Sequence, residues 1–189
     1  ASDYPWDGSI SMTVDPGEPV SFTLNLRVPA WCSSWTLKLN GEPVTPDIAD
    51  GYLSLSRLWN PGDRLEFSLD MPVSFFSANP RIPEDAGKAA LSRGPLVYCL
   101  EEADNGNKLH LVRLGSVRPE ECKTEWKPEK LGGIVEISTP GLRESDEGWG
   151  DTLYSAEKQI DAAPAVLTWI PYYAWANRGP GEMRVWIRK

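Results

Sequence analysis

Strict alternation of apolar and polar residues constrains the fold of this chain more than any other feature of its sequence. It occurs in five short stretches of the first part of the chain: Ser9–Val14, Val20–Leu26, Thr36–Asn40, Tyr52–Ser56 and Arg64–Asp70. A period of two places successive side chains on opposite faces of a β-strand, so each stretch predicts a strand with one face on a core and one in water. Turn sequences such as Asn40-Gly41, which favours a tight hairpin, separate the stretches.

Proline and glycine are spread along the whole chain and leave little room for helices. There are 17 prolines and 16 glycines among the 189 residues. Glu84–Ala90 predicts one helical turn at most. Short strands punctuated by turns are typical of antiparallel sandwiches, so the sequence predicts an all-β chain of two tandem antiparallel, jelly-roll-like β-sandwich domains.

A domain boundary is predicted near residue 80, where Pro80 and Pro83 interrupt the pattern. Proline cannot donate a hydrogen bond to a central ladder. The first sandwich is therefore expected to span residues 1–80 and the second residues 81–189. Strands of the second are predicted at Lys88–Arg93, Leu96–Leu100, Leu109–Val112, Gly133–Ile137, Ala165–Ile170 and Met183–Ile187.

The last two strands frame the most distinctive segment of the chain. Val166–Tyr172 is predicted to form a hairpin with Met183–Ile187 around the turn Asn177–Gly181, and Pro140–Asp151 is predicted to be a long polar loop.

The charge balance excludes two classes of partner. The net charge is −8 and no run of lysine or arginine occurs, whereas nucleic acids and anionic membranes are bound through basic surfaces. No apolar run approaches the roughly 18 residues of a membrane-spanning helix. The chain begins without a signal region and reads as a piece of a longer protein, so its compartment stays open.

Residue types that carry chemistry are sparse. Cys32, Cys99 and Cys122 are far apart in sequence, which favours three buried small hydrophobes over a single disulfide. His110 is the only histidine and has no recognisable catalytic partner. Glu101 and Glu102 are neighbours, so on a strand they would point to opposite faces.

An acidic loop and two tryptophans are the remaining candidates for binding. The acids of this loop surround Trp149 and are Glu144, Asp146, Glu147 and Asp151. They lack the regular oxygen-ligand spacing of a calcium loop, so a solvated acidic loop is favoured. Trp149 and Trp6 are nevertheless candidate sugar or interface contacts. Core or interdomain packing is the interpretation for the tryptophans inside the other motifs, which are Trp31, Trp59, Trp169, Trp175 and Trp186.

An ordered series of motifs carries a family resemblance over essentially the whole chain. The motifs are Tyr4-Pro-Trp-Asp-Gly8, Arg27-Val-Pro-Ala-Trp31, Asn40-Gly41, Gly51-Tyr52, Arg57–Asp63, Leu91–Glu101 and Ile170–Trp186. In this order they resemble the C-terminal part of glycoside hydrolase family 127, the β-L-arabinofuranosidase-like enzymes.

The resemblance implies a catalytic (α/α)6 barrel followed by two β-sandwiches, of which this chain resembles the sandwiches only. It also implies that zinc and a cysteine nucleophile lie in the barrel, so no cofactor is expected in this chain. Cys99 does not match the family's nucleophile motif, because its surroundings belong to a strand of the second sandwich. The implied partners are the barrel, a second copy in a homodimer and plant-type arabinose-containing glycans.

Three functional hypotheses follow. The first is a non-catalytic region that supports the barrel and mediates dimerisation in a glycosidase, and that is inactive alone. The second is a carbohydrate-binding module using exposed aromatic side chains. The third, a free-standing enzyme with a site between the sandwiches, is disfavoured because neither a histidine pair nor a paired-carboxylate motif is present.

Overall fold

The computed structural model describes residues 1–157 and 160–189. Its contacts divide the chain into two compact units, Ala1–Pro72 and Val73–Lys189. The predicted all-β class is confirmed, and the one α-helix of the described part is the short α1 at Glu102–Asn105. No helix of this part is long and apolar enough to cross a membrane.

The division between the units precedes the prolines that predicted it. Val73–Phe76 forms a strand that pairs with Lys88–Arg93, through Val73 opposite Arg93 and Phe76 opposite Ala90. This pairing assigns residues 73–80 to the second unit, whereas the sequence placed them in the first. A local pattern break at Pro80 therefore marks a loop within the second unit.

The first unit contains two antiparallel sheets. Its strands are β1 (Ser9–Val14), β2 (Val20–Arg27), β3 (Trp35–Leu39), β4 (Glu42–Pro43), β5 (Ile48–Ala49), β6 (Tyr52–Trp59) and β7 (Asp63–Leu69). One sheet has the order β1-β7-β3-β4 and the other β2-β6-β5. All five strands predicted from the alternation are present, with bounds that shift by a few residues at most.

The core of the first unit lies between the inner faces of these strands. Leu37, Leu53, Leu65 and Trp59 are fully or almost fully buried in one apolar cluster. The Trp59 indole Nε1 donates a 3.0 Å hydrogen bond to the Phe22 carbonyl, which satisfies the one polar atom of the ring.

Arg57 lies at the edge of that core. Its guanidinium lies 5.2 Å from the centre of the Trp59 ring and 3.8 Å from the Asp63 carboxylate. Asp63 also accepts hydrogen bonds from the Asn40 side chain and the Asn60 amide. These contacts tie the Asn40-Gly41 hairpin to the turn before β7.

The described part of the second unit contains nine strands and four turns of 3-10 helix. The strands are β8 (Val73–Phe76), β9 (Lys88–Arg93), β10 (Leu96–Glu101), β11 (Val112–Arg113), β12 (Lys123–Lys127), β13 (Ile134–Glu144), β14 (Ala162–Pro171), β15 (Met183–Arg184) and β16 (Ile187–Arg188). The 3-10 turns are Pro83–Asp85, Leu109–Leu111, Pro119–Glu121 and Tyr172–Ala174.

The strand pairings of the second unit form a closed circuit, β9-β10-β14-β13-β11-β16 and back to β9. All these ladders are antiparallel except the single bridge between Arg113 of β11 and Arg188 of β16. The circuit surrounds a core that includes Leu91, Tyr98, Ile137 and Trp169, all fully buried. Trp169 Nε1 donates a 3.0 Å hydrogen bond to the hydroxyl of buried Thr139.

Three sequence-based predictions for this unit are wrong in part. Strands β14 and β15 do not form a hairpin, because each pairs with β10, which lies between them. Leu109–Leu111 is a 3-10 turn, and only Val112–Arg113 is strand. The predicted loop at Pro140 is strand as far as Glu144, because residues 137–144 pair in register with β14.

Candidate functional site

The Gly-Pro-Gly turn near the end of the chain is anchored by one arginine. Arg178 begins this turn and extends into the second unit. Its Nε donates to Glu101 Oε2 at 3.1 Å, and its two terminal nitrogens donate to Asp104 at 2.8 and 2.6 Å. Glu101 ends β10 and Asp104 lies in α1, so one guanidinium joins a strand, a helix and a turn.

Lys130 extends this ionic cluster to the next strand. Its ammonium donates to Asp104 Oδ1 at 2.7 Å and to Glu136 Oε2 at 2.6 Å. Burial alone would raise the pKa of Asp104, but the hydrogen bonds from Arg178 and Lys130 outweigh burial and lower that pKa below its ordinary value. The same bonds raise the pKa of Arg178, so both groups are charged at neutral pH.

The cluster also fixes the aromatic segment that precedes the turn. Ala176 adopts the left-handed conformation (φ 64°), and its amide donates a 2.9 Å hydrogen bond to Glu101 Oε1. Ala174 is buried, whereas Tyr172, Tyr173 and Trp175 are 44, 59 and 38 % exposed. Trp175 is therefore not a core residue of this unit, and its packing against another domain stays a prediction.

An open groove of about 740 Å³ lies beside Arg178. It is lined by Lys127, Pro128, Glu129, Lys130, Leu131, Asn177 and Arg178. One wall is the turn between β12 and β13, and the other is the turn before β15. The wall at Asn177 and Arg178 belongs to the turn that was predicted from the sequence, whereas the wall after β12 was not predicted, because β12 lacks the apolar alternation that marked other strands.

The two tryptophans predicted as contacts lie in different units. Trp6 is half-buried in a turn before β1, where its amide donates to the Asp3 carbonyl at 2.8 Å. Trp149 is half-buried in the segment between β13 and β14. Whether either side chain binds a sugar or a protein stays a prediction.

Two of the four acids near Trp149, Glu144 and Asp146, form ion pairs. Glu144 is buried, with Arg113 Nε 2.8 Å from one carboxylate oxygen and Arg188 Nη2 2.5 Å from the other. Asp146 lies 2.5 Å from Lys108 Nζ, and this hydrogen bond lowers its pKa. Within residues 1–157 and 160–189, no group of three or more His, Cys, Asp and Glu side chains is placed to hold a metal ion.

The cysteines are free thiols, which agrees with the favoured interpretation. Cys32 and Cys99 are buried and Cys122 is partly buried. Burial raises the pKa of Cys99 to about 12 and that of Cys122 to about 11, so both thiols are protonated at neutral pH. A zinc-bound or nucleophilic cysteine acts as the thiolate. Within the residues that the structure describes, none of the three cysteines belongs to a cluster of metal-ligating side chains.

Structural partners are present for His110 and for the neighbouring pair Glu101 and Glu102. The His110 carbonyl accepts a 2.7 Å hydrogen bond from Arg188, and the ring is exposed. Glu101 is bound to Arg178, and Glu102 accepts a 2.9 Å hydrogen bond from the Glu182 amide. Because Glu102 begins α1, the expectation that the pair alternates on a strand is wrong.

Comparison with solved structures shows that the whole chain shares its architecture with larger proteins. A GH127 β-L-arabinofuranosidase from Geobacillus stearothermophilus T6 is 39 % identical with a TM-score of 0.93, over all of this chain and 29 % of that protein. A GH127 β-arabinofuranosidase is 34 % identical with a TM-score of 0.87, over all of this chain and 31 % of that protein.

Sequence comparison gives the same relationship. A non-reducing end β-L-arabinofuranosidase of Bifidobacterium longum subsp. longum is 40 % identical over the whole of this chain, which spans 30 % of that relative's length. Residues 1–71 match the GH127 middle domain of β-L-arabinofuranosidase, and residues 73–188 match the glycoside hydrolase family 127 C-terminal domain. The chain therefore belongs to glycoside hydrolase family 127, of which it comprises the middle and C-terminal domains.

Proposed function

We propose that this chain is the non-catalytic β-domain region of a β-L-arabinofuranosidase-like glycoside hydrolase, in which it supports a separate catalytic barrel. The observation that carries the proposal is the family match over both units, combined with a length that is 30 % of the relative's. Arabinose-containing plant glycans are then the substrates of the whole enzyme, and its zinc and cysteine chemistry lies in the barrel.

The charged groups of this chain support a structural role. Glycoside hydrolysis requires two carboxyl groups that face each other across a sugar, roughly 5–10 Å apart. The buried acids in the described part of the second unit instead neutralise arginines: Glu101 binds Arg178, and Glu144 binds Arg113 and Arg188.

The first test is the activity of the chain alone. We expect no hydrolysis of an aryl β-L-arabinofuranoside by the purified 189-residue chain. Turnover that persists through purification, and that a single change such as Glu102→Gln or His110→Ala abolishes, would overturn the proposal.

The supporting role has its own test. Replacing the corresponding 30 % of the Bifidobacterium relative with this chain is expected to restore a soluble, active enzyme. The rest of that relative, expressed without these domains, is expected to be insoluble or inactive. Full activity of the isolated remainder would contradict the supporting role.

We also propose that the second unit contributes to a homodimer. Leu153, Tyr154 and Val166 are 82, 92 and 73 % exposed, and a protein interface would bury the apolar surface that they present to solvent. Analytical ultracentrifugation is expected to detect dimers, and Val166→Asp is expected to weaken them. A strictly monomeric chain at high concentration would argue against this role.

A further inference from the structure

Two Asn-Gly pairs occur in the sequence, Asn40-Gly41 and Asn105-Gly106. An asparagine followed by glycine loses its side-chain amide spontaneously more readily than other asparagines, because glycine has no side chain to hinder attack by its own backbone nitrogen. One pair forms the turn between β3 and β4 of the first unit, and the other ends α1 in the second unit. The surroundings of the two pairs differ, although the two dipeptides are identical.

The reaction needs only water as a co-reactant. The backbone nitrogen of the glycine attacks Cγ of the asparagine, and the new C–N bond closes a cyclic succinimide. The Cγ–Nδ2 bond breaks, and the side-chain nitrogen leaves as ammonia with the amide proton of the glycine. Water then opens the ring at either carbonyl and yields aspartate or isoaspartate. For the attack to occur, the side-chain amide must first leave its own hydrogen bonds and turn towards the next peptide.

The side chain of Asn40 is held by two hydrogen bonds at the surface of the first unit. Its Nδ2 donates to Asp63 Oδ1 at 2.8 Å, and its Oδ1 accepts from the Arg64 amide at 2.8 Å. Asn40 and Gly41 are both exposed, and an added Cβ at Gly41 would meet no atom within 4 Å. Water therefore reaches this turn, and the space around the Gly41 peptide is open.

The side chain of Asn105 is held more firmly and is partly buried. Its Nδ2 donates to the carbonyls of Glu101 and Thr168 at 3.0 and 2.8 Å, and its Oδ1 accepts from the Thr168 amide at 2.8 Å. The attacking nitrogen of this pair is bound as well, because Gly106 N donates to the Glu102 carbonyl at 2.7 Å. Attack at Asn105 therefore has to break these four hydrogen bonds.

We propose that Asn40 is a site of spontaneous deamidation in the folded chain, whereas Asn105 is protected until the second unit opens. Attack at Asn40 breaks two hydrogen bonds fewer than attack at Asn105. Two hydrogen bonds of ordinary net strength correspond to a difference of roughly 10- to 100-fold in rate.

The product at position 40 faces a carboxylate. Asp63 is only 7 % exposed, and the hydrogen bond from Asn40 is the main cause that lowers its pKa. Aspartate at position 40 replaces this donor with a second negative charge, and like charges at such a distance repel each other. Isoaspartate also adds a carbon atom to the backbone of the turn. Both products therefore loosen the connection between the β3–β4 turn and the start of β7.

The first test is peptide mapping by mass spectrometry of the folded 189-residue chain during incubation at mildly alkaline pH. We expect the Asn40 peptide to gain the mass difference between ammonia and water roughly 10- to 100-fold faster than the Asn105 peptide. In concentrated urea the two pairs are expected to react at similar rates, because the fold no longer distinguishes them. Asn60 and Asn79 are internal controls, since each precedes a proline, which has no backbone N–H to attack with.

The second test measures the effect of the product. Asn40→Asp is expected to accelerate amide hydrogen exchange in β3 and β7 about tenfold. Combining it with Asp63→Asn restores one amide opposite one carboxylate and is expected to slow this exchange again. Asn25→Asp is the matched control, because it makes the same charge change in the same unit beside the Ser54 hydroxyl. It should leave exchange in β3 and β7 unchanged.

Three results would overturn the proposal. The first is deamidation of Asn105 at the same rate as Asn40, or faster, in the folded chain. The second is no reaction at Asn40 in the folded chain under conditions in which the urea sample reacts. The third is hydrogen exchange in β3 and β7 that Asn40→Asp leaves unchanged, which would show that the product does not disturb the turn.

Discussion

The Arg178 guanidinium binds the Asp104 carboxylate through two parallel hydrogen bonds, Nη1 to Oδ1 at 2.8 Å and Nη2 to Oδ2 at 2.6 Å, across 74 residues of sequence. This bidentate geometry is specific to arginine, because an ammonium group cannot present two parallel donors. It connects the turn before β15 to the helix after β10.

Removing this arginine is expected to destabilise the second unit. Arg178→Ala leaves Glu101, almost completely buried, without its counter-charge. We expect a loss of about 2–3 kcal/mol in the free energy of unfolding. This loss is at or below the lower end of the cost of breaking a fully buried ion pair, because the Arg178 side chain keeps some contact with solvent. Urea denaturation measures it. Arg118→Ala, which removes exposed ion pairs only, is the control and should change stability by less than about 0.5 kcal/mol. Equal stability of the two variants would contradict this prediction.

The lowered pKa of Asp104 predicts that the second unit loses stability in acid. Its pKa is lower in the folded chain than its ordinary value of 3.8, so the folded state binds fewer protons than the unfolded state near that pH. The stability that Asp104 contributes is therefore complete above about pH 5 and is lost as the pH falls through its folded pKa. Urea denaturation between pH 7 and pH 3 should show this decrease.

The comparison that isolates this carboxylate is Asp104→Asn against Asp151→Asn. The Asp104 variant should be less stable at pH 7 and should show a flatter dependence between about pH 5 and pH 3. The Asp151 variant alters an exposed acid and should retain the original slope. An unchanged slope in Asp104→Asn would exclude this residue as the source of the acid sensitivity.

Thiol labelling tests the burial of the cysteines. Because burial raises the pKa of Cys122 to about 11 and that of Cys99 to about 12, few thiolates are present at pH 8. We expect DTNB to label Cys122 slowly in the folded chain, to leave Cys99 and Cys32 unlabelled, and to label all three in urea. Cys122→Ser should abolish labelling of the folded chain. Rapid labelling that persists in this variant would show that a buried thiol is accessible.

A substitution of Gly8 tests how closely the backbone at residue 8 approaches the backbone at Leu69 in the first unit. Its carbonyl accepts a 3.0 Å hydrogen bond from the Leu69 amide, and an added Cβ would lie 1.9 Å from the Leu69 carbonyl oxygen. Gly8→Ala must displace β1 from β7, at a cost of about 3 kcal/mol. Hydrogen exchange of the β1–β7 amides should become much faster. Ser11→Ala, at an exposed position of the same strand, should leave exchange unchanged.

The first unit was predicted well because its strands have one face on a core and one in water. Arg64–Asp70 shows this clearly, since β7 alternates buried and exposed residues along its whole length. Val20–Leu26 is also a strand, but only Leu24 and Leu26 of its apolar face are shielded, while Val20 and Phe22 are exposed. The second unit was harder to predict, because its β12 is short, almost wholly exposed and polar apart from Trp126. Such an edge strand has no apolar face that a sequence pattern could reveal.

The candidate functional site was not predicted as a whole, because it is formed by contacts between residues that are far apart in the sequence. The hairpin predicted for β14 and β15 followed from their proximity in sequence, whereas β10 separates them in the sheet. Arg178 and Asp104 carry no local signal that they meet, and neither does the pair of walls that form the groove. Trp175 was interpreted as a core or interdomain packing residue from its residue type and its place at a strand end, and neither signal shows that the residue is partly exposed in the structure.

The position of β16 sets a limit on when the second unit can fold during synthesis. Ile187 pairs with Ala89 of β9, and Arg188 bridges to Arg113 of β11, so the strand circuit is closed by residues 187 and 188. Until these residues have left the ribosome, β9 and β11 have unpaired edges. The strand circuit of the second unit can therefore close only after residue 188 has been synthesised, whereas the first unit contains all of its own strands by residue 72.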